Sequence, residues 1–344
     1  MTGGTGFVGA HSVAAIVGSG HRVRLVVRDE ARVEPALAPL GVPLDAVDTT
    51  GADVTDERAM RRALKGTDAV LHAAAVYSFD RRRHAAMART NARGTEVTLE
   101  AAGRAGADPI VHVSTVGALY PSPHGPVHAG SPVGRPRERY MASKAAAEAV
   151  ARGLQERGAP VVITYPPPLL GPDDPHLGDQ NARLRDLLRG LMPMWPGGGF
   201  PLGDVRDTAR LHAEVLRRAE PGRNRLFGPG RHVSTRRYVQ TVREATGRAL
   251  PALFLPARAM LPAARLTDQV QRVWPWHIPA EYGAAYACAV SAPVDEGADR
   301  LGIDGRPLAE TVRDAVRWLH RQGHLTGRQA GRAARSAGAS AERL

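Results

Sequence analysis

Tyr140 and Lys144 stand four residues apart in the alanine-rich stretch RYMASKAAAE. On a helix that spacing puts both side chains on one face, where an ammonium near a phenol favours the ionised phenol. A tyrosine with an ordinary pKa of about 10 then becomes an acid and base usable near neutrality. Lys144 is one of only two lysines, with Lys65, in a chain that otherwise takes its positive charge from arginine. A compact ammonium can meet both a phenol and sugar hydroxyls, which a guanidinium fork does poorly. Upstream, VHVSTVGALY ends an apolar run in Ser114 and Thr115, hydroxyls suited to holding a reacting oxygen.

A second chemistry-bearing stretch is MTGGTGFVG. Gly3, Gly6 and Gly9 allow a tight turn, close approach of backbone to a pyrophosphate, and close packing of the following helix, whose first turn holds Phe7 and Val8. Arg28 ends the next β-rich run, where a carboxylate would bind the adenosine ribose of NAD and an arginine would neutralise a 2′-phosphate. NADP is therefore the favoured cofactor. The neighbouring Asp29 keeps NAD open.

The glycine turn, with Tyr-x-x-x-Lys and the upstream hydroxyl in order behind it, resembles the extended short-chain dehydrogenase/reductase family, also called the NAD-dependent epimerase/dehydratase superfamily. The resemblance runs from Thr2 to about residue 322. It implies that Thr115 binds the substrate oxygen, with Ser114 as fallback, that Tyr140 is the acid/base, and that Lys144 orients the ribose and lowers the tyrosine pKa. Asp53 and Val54 in GADVTD match the family's pair beside adenine. Ala73 and Ala74 in LHAAA match the small-residue strand end near the cofactor, and His72 beside them reads as a packed histidine. Asn91 in TNARGTEV matches a helix residue on the cofactor side of the site that positions the active-site backbone or the nicotinamide. Pro166, in Tyr165-Pro166-Pro167-Pro168, falls where the family commonly has Arg-Pro beside the nicotinamide, a departure that makes the backbone there rigid. Asp207 in DVRD matches a structural carboxylate.

These groups need a frame, and the chain supplies one. RVRLVV (22–27), DAVLHAAA (68–75), DPIVHVST (108–115) and APVVITYP (159–166) are short apolar runs separated by helical stretches. Such alternation predicts right-handed βαβ units and an α/β fold: a Rossmann-type doubly wound parallel sheet with a smaller C-terminal substrate-binding region. The cofactor domain is expected over 1–168, with 200–230 returning to it. The substrate region is expected over 169–199 and 231–322, followed by a disordered basic tail over 323–344. Because the glycine turn opens at residue 3, the first strand is expected to be missing from this chain, with Met1 in its last position and translation starting upstream.

The implied reaction is hydride transfer between nicotinamide and a carbon bearing a hydroxyl or carbonyl. Val116-Gly117 follows Thr115 where 4,6-dehydratases need an acidic pair, so dehydration is not expected. Arg28, the apolar 249–282 segment, Trp195, Trp274 and Trp276 favour a bulky, weakly polar substrate, as in reductases resembling dihydroflavonol 4-reductase and 3β-hydroxysteroid dehydrogenase. The alternatives are a nucleotide-sugar epimerase holding NAD tightly and a non-catalytic NADP-binding regulator.

Bulk properties bound the rest. The 344 residues, 43% hydrophobic and 23% charged, suffice for a large α/β core. A lone cysteine, Cys288, excludes a disulfide framework, and no leader or apolar span suggests secretion or membrane spanning. A cytoplasmic location follows as the default. The net charge of +12 is spread along the chain without aromatic interleaving, so a small-molecule substrate and no nucleic acid are expected. No metal site is expected, and the resemblance allows a homodimer.

Overall fold

The computed structural model describes residues 1–77, 81–122, 125–218, 224–270 and 282–334. In chain order they form α1 (Phe7–Gly18), β1 (Val23–Val27), α2 (Val33–Leu37), β2 (Val47–Gly51), α3 (Glu57–Ala63), β3 (Val70–His72), α4 (Arg81–Arg104), β4 (Ile110–Val113), α5 (Arg139–Glu156) and β5 (Val161–Tyr165). There follow β6 (Leu169–Leu170), α6 (Asp179–Leu188), β7 (Met194–Pro196), β8 (Gly199–Asp204), α7 (Val205–Arg217), β9 (Arg225–Phe227), β10 (Arg231–Ser234) and α8 (Thr235–Thr246). The chain continues with β11 (Leu253–Leu255), α9 (Ala257–Val270), α10 (Tyr282–Val290), α11 (Leu308–Arg321) and α12 (Gly327–Ala330). None of the described helices is long and apolar enough to cross a membrane.

The four apolar runs become β1, β3, β4 and β5, and all their pairings are parallel. β3, β4, β5 and β9 make one sheet and β1 and β2 another. Thr2 joins the two through parallel bridges to Val26 and His72. Met1 accepts a bond from the Val26 amide at 2.8 Å, and the Thr2 amide donates to Leu71 at 3.0 Å. The spatial order is therefore β2, β1, Thr2, β3, β4, β5, β9, the doubly wound order in which the chain reverses direction at its centre.

Side chains alternate across this sheet, as the period of two demands. Val26, Val70, Ile110 and Ile163 pack on one side with residues of α3, α4 and α5. Leu25, Leu71, Val111 and Val113 pack on the other with residues of α1, α2 and α7. Such covered strands read as continuous apolar runs because both faces are buried. A third cluster gathers Leu170, Leu184, Trp195, Phe200, Tyr238, Val312, Val316 and Trp318 around α6, α8 and α11.

Polar ties fasten this third cluster to the sheet. Asp204, at the end of β8, caps α7 through the Arg206 amide and takes a 2.8 Å bond from Thr311 of α11. Arg206 bridges Asp204 and Asp314. Asp207 accepts from the amide and guanidinium of Arg306, the structural role expected for it.

One expectation fails at the C-terminal end. The stretch from 323 has the composition of a disordered tail, yet α12 forms behind a Thr326–Gln329 capping box, and Leu325, Ala330 and Ala333 are buried in the third cluster. The residues are small and basic, but three apolar side chains at suitable spacing and one reciprocal cap suffice to dock them. Residues 335–344 lie outside the described residues, as do Trp274 and Trp276.

Candidate active site

Glycine closes the turn before α1 for steric reasons. Gly3 has φ +77°, and a methyl group there would lie 2.6 Å from the Ala74 nitrogen. At Gly9 it would lie 1.9 Å from the Gly3 carbonyl oxygen. Neither clash can be relieved, because both neighbours are backbone. Gly6 has no such constraint: a methyl group there would meet nothing nearer than the Gly3 carbonyl oxygen, at 3.5 Å. It leaves open the space before α1, whose first turn carries no acidic residue and no side-chain cap. Free amides at an uncapped helix start suit a pyrophosphate. The turn thus fits the diphosphate of a dinucleotide. Phe7 lies edge-on to His11 at 5.4 Å, and the Val8 carbonyl takes a bond from Ser12.

The neighbouring strand ends bring up the other expected residues. Ala73 and Ala74 hold Thr2 through amide bonds of 3.2 and 3.3 Å. Asp53 accepts from the amide and hydroxyl of Thr55, which holds its carboxyl below the usual range, with a smaller contribution from nearby Arg28. Val54 packs where a side chain on Gly94 of α4 would stand, 2.7 Å from its methyl carbon. Arg28 is exposed. Asp29 is engaged elsewhere, accepting from the Ala31 amide and pairing with Arg32, so it is a local cap.

Asn91, buried on α4, works as a three-way clamp. Its side chain exchanges two bonds with the backbone of Val76, at 2.7 and 3.0 Å, and donates to Ser143 at 2.9 Å. Ser143 in turn donates to the Tyr140 carbonyl at 2.7 Å. The loop after β3 and the first turn of α5 are thereby fixed to one another.

Helix α5 begins at Glu138, whose two carboxylate oxygens accept from the amides of Tyr140 and Met141. Its far half is locked by buried Glu148, which pairs with Arg152 at 2.7 Å and accepts from the Tyr165 hydroxyl at 2.6 Å. Lys144 is buried, and its ammonium donates to the Val113 carbonyl at 2.8 Å, at the end of the strand that leads into Ser114 and Thr115. Burial pushes its pKa down to about 8 against the opposing pull of Glu148. Thr115 donates to the Pro166 carbonyl and accepts from Gly117, both at 3.3 Å, and Pro166 also accepts from Val116. Pro166 therefore pins the Thr115 turn. The hydroxyl of Ser114 is buried with no protein partner.

Tyr140 is held differently from expectation. Its ring lies edge-on to that of Tyr77, with centroids 4.5 Å apart, and none of the described hydrogen bonds joins it to Lys144 or Thr115. Burial, then the carboxylates of Asp179 and Glu138, raise its pKa. The expected lowering by Lys144 is absent from the protein alone, because that ammonium is directed at the Val113 carbonyl. His72 is the packed histidine expected, bonded to Thr2 and Thr95.

At the start of α6, Asp179 lines a cavity of about 850 Å³. Its wall includes Leu191, Met194, Trp195, Phe200 and Met260, together with Asp179, Arg183 and Arg185. Asp179 accepts a hydrogen bond from the Tyr77 hydroxyl. Sequence reasoning missed Tyr77 and Asp179; a lone tyrosine after a strand and an aspartate at a helix start carry no motif.

A doubly wound sheet with a glycine turn at its centre defines a dinucleotide-binding enzyme of the Rossmann type. The sequence model of the NAD dependent epimerase/dehydratase family matches residues 1–227, and the chain belongs to that family. It is 28% identical over 331 residues to sterol demethylase protein B of Methylococcus capsulatus, covering 94% of this chain and 99% of that one. It is 30% identical over 326 residues to a 4-hydroxy-2-methyl-3-oxo-4-farnesyl-3,4-dihydroquinoline-1-oxide ketoreductase of Stigmatella aurantiaca, covering 92% and 95%. Its fold matches that of UDP-glucose 4-epimerase from Bifidobacterium longum, solved with NAD+ and UDP, with a TM-score of 0.71, 18% identity and coverage of 94% and 98%.

Proposed function

We propose that the protein is an NAD(P)-dependent reductase or dehydrogenase acting on a hydroxyl or carbonyl of a bulky, largely apolar substrate. The observation that carries this reading is the cavity of about 850 Å³ with its leucine, methionine and aromatic wall, one of whose lining residues, Asp179, is linked to Tyr140 by way of Tyr77. Burying an apolar body there is favourable by about 25 cal/mol per Å², while a diphosphate would demand cations in numbers. The ketoreductase and sterol names of the two relatives agree with that character.

Gly3, Gly6 and Gly9 with the start of α1 would hold the cofactor diphosphate, and Lys144 its nicotinamide ribose. A bound nicotinamide supplies or accepts the hydride. Tyr140 gives the proton to the substrate oxygen in reduction and removes it in oxidation. Thr115 holds that oxygen, after rotating its hydroxyl from Pro166, and Ser114 is the fallback. Asn91 keeps the two walls of the site in register. Arg28, free of a capping duty and exposed beside Asp53, supports NADP over NAD, whereas Asp29 is committed to its own turn.

The second reading, a nucleotide-sugar epimerase, draws on Arg183 and Arg185 in the cavity wall, although Arg185 is paired with Asp186 at 2.7 Å. The test is turnover of NADPH with a panel of steroid and aryl ketones against nucleotide sugars, with the cofactor of the purified protein identified by mass spectrometry. Loss of ketone reduction in Tyr140→Phe with NADPH binding retained supports the first reading. Interconversion of sugars without net cofactor turnover refutes it.

A further inference from the structure

Tyr77 and Asp179 form a bridge from the cavity wall to Tyr140. Asp179 is the first residue of α6 and lines the cavity. It accepts from the Tyr77 hydroxyl, and the Tyr77 ring meets Tyr140 edge-on at 4.5 Å. Tyr77 is 42% exposed, yet it directly follows Val76, whose backbone is clamped on both sides by Asn91. Its place is thus set by the scaffold. The charged and titratable groups facing Tyr140 come from three directions. Among the described residues they are Asp179 of α6, Tyr77 of the loop after β3, and Glu138 at the cap of its own helix, while Lys144, one turn on, is directed at the Val113 carbonyl.

We propose that Tyr77 and Asp179 are positioning residues for Tyr140: the Tyr77 ring, tied to Asp179 of the cavity wall, holds the Tyr140 ring in place, and Asp179 sets one carboxylate charge near its phenol. The proposal rests on the reading of Tyr140 as acid/base. A negative charge nearby disfavours phenolate, in the same sense as the raised pKa of Tyr140. Burial first, and this charge in addition, hold Tyr140 in its protonated form. Reduction starts from this protonated form, and oxidation starts from the phenolate. Edge-on contact with a second ring also limits the arc over which the phenol oxygen can swing.

The experiment uses the full chain saturated with NADP+, labelled with 13Cζ-tyrosine, with Tyr140→Phe assigning the resonance. Asp179→Asn should raise the ionised fraction of Tyr140 at pH 10 by about threefold, the equivalent of about half a pKa unit. Tyr77→Ala should lower kcat about tenfold with the KM for NADPH unchanged, and Tyr77→Phe, which keeps the ring, should recover most of it. Thermal unfolding of each variant at the parent midpoint shows that folding is intact. An unchanged ionised fraction in Asp179→Asn, or parent kcat in Tyr77→Ala, overturns the proposal. Parent turnover in Tyr140→Phe would instead refute the acid/base reading, while a moved Tyr140 resonance in Asp179→Asn would leave the bridge standing.

Discussion

Acid should unfold this protein well before its carboxylates are neutralised, because the scaffold buries histidines in the neutral form. His72 sits between Thr2 and Thr95 and stacks on His112 at 5.8 Å. His212 sits between Ser12 of α1 and Thr164 of β5. Burial lowers His72 and His212 from 6.5 to about 3, and Lys144 adds to the effect at His72. Well above pH 6.5 both are neutral, folded or unfolded, and pH has no leverage through them. Between 6.5 and 3 the unfolded chain binds protons that the folded one refuses, so stability falls as pH falls. At pH 5 each histidine costs about 2 kcal/mol relative to pH 7.5, and the two together about 4 kcal/mol, a large share of a typical net stability. His112, buried and shifted the same way, adds to the slope. Urea unfolding at pH 7.5, 6 and 5 reads the loss as a falling midpoint at constant m-value. In His72→Asn/His212→Asn the fall between pH 7.5 and 5 should be smaller by about 4 kcal/mol, with the part of the slope that His112 contributes remaining. A parent midpoint that holds from pH 7.5 to 5, or a double variant as steep as the parent, refutes the reasoning.

Three further outcomes follow from the same geometry. Gly9→Ala pushes a methyl into the Gly3 carbonyl and should weaken NADPH binding by about 100-fold or more, measured by fluorescence titration. Arg28→Ala should weaken NADPH about tenfold and leave NADH unchanged, and equal losses for both would remove Arg28 from cofactor choice. Arg152→Met leaves the buried Glu148 charge without its guanidinium and should cost about 3–5 kcal/mol in urea unfolding.

Much of the fold is legible in the sequence because it is carried by local pattern. Val23–Val27, Val70–His72, Ile110–Val113 and Val161–Tyr165 are covered on both faces and hence mostly apolar, with Arg24, His72, His112 and Thr164 among them. The glycine turn announces itself because Gly3 and Gly9 are forced by backbone contact. β2 is not legible: VDTTG is exposed at most positions, and an edge strand pairs through its backbone without an apolar signature. The folded Leu325–Ala334 stretch escapes because its docking depends on partners in α8 and α11 far back in the chain. Within the site, the positions of Tyr140, Lys144 and Thr115 are readable and their bonds are not. That Lys144 faces the Val113 carbonyl and Tyr140 faces Tyr77 is a matter of tertiary packing between α5, β4 and the loop after β3.

The carboxylates that tie α11 to the sheet also set an order in time. Asp204 and Asp207 are 2% and 0% exposed, and the Arg306 that meets Asp207 lies 99 residues later. A chain leaving the ribosome at about 5–20 residues per second carries those two charges without Arg306 and Thr311 for several seconds. The doubly wound half can assemble during that interval, but burying Asp207 before its guanidinium arrives is costly. Closure of the substrate side is thereby disfavoured until Arg306 and α11 have been made.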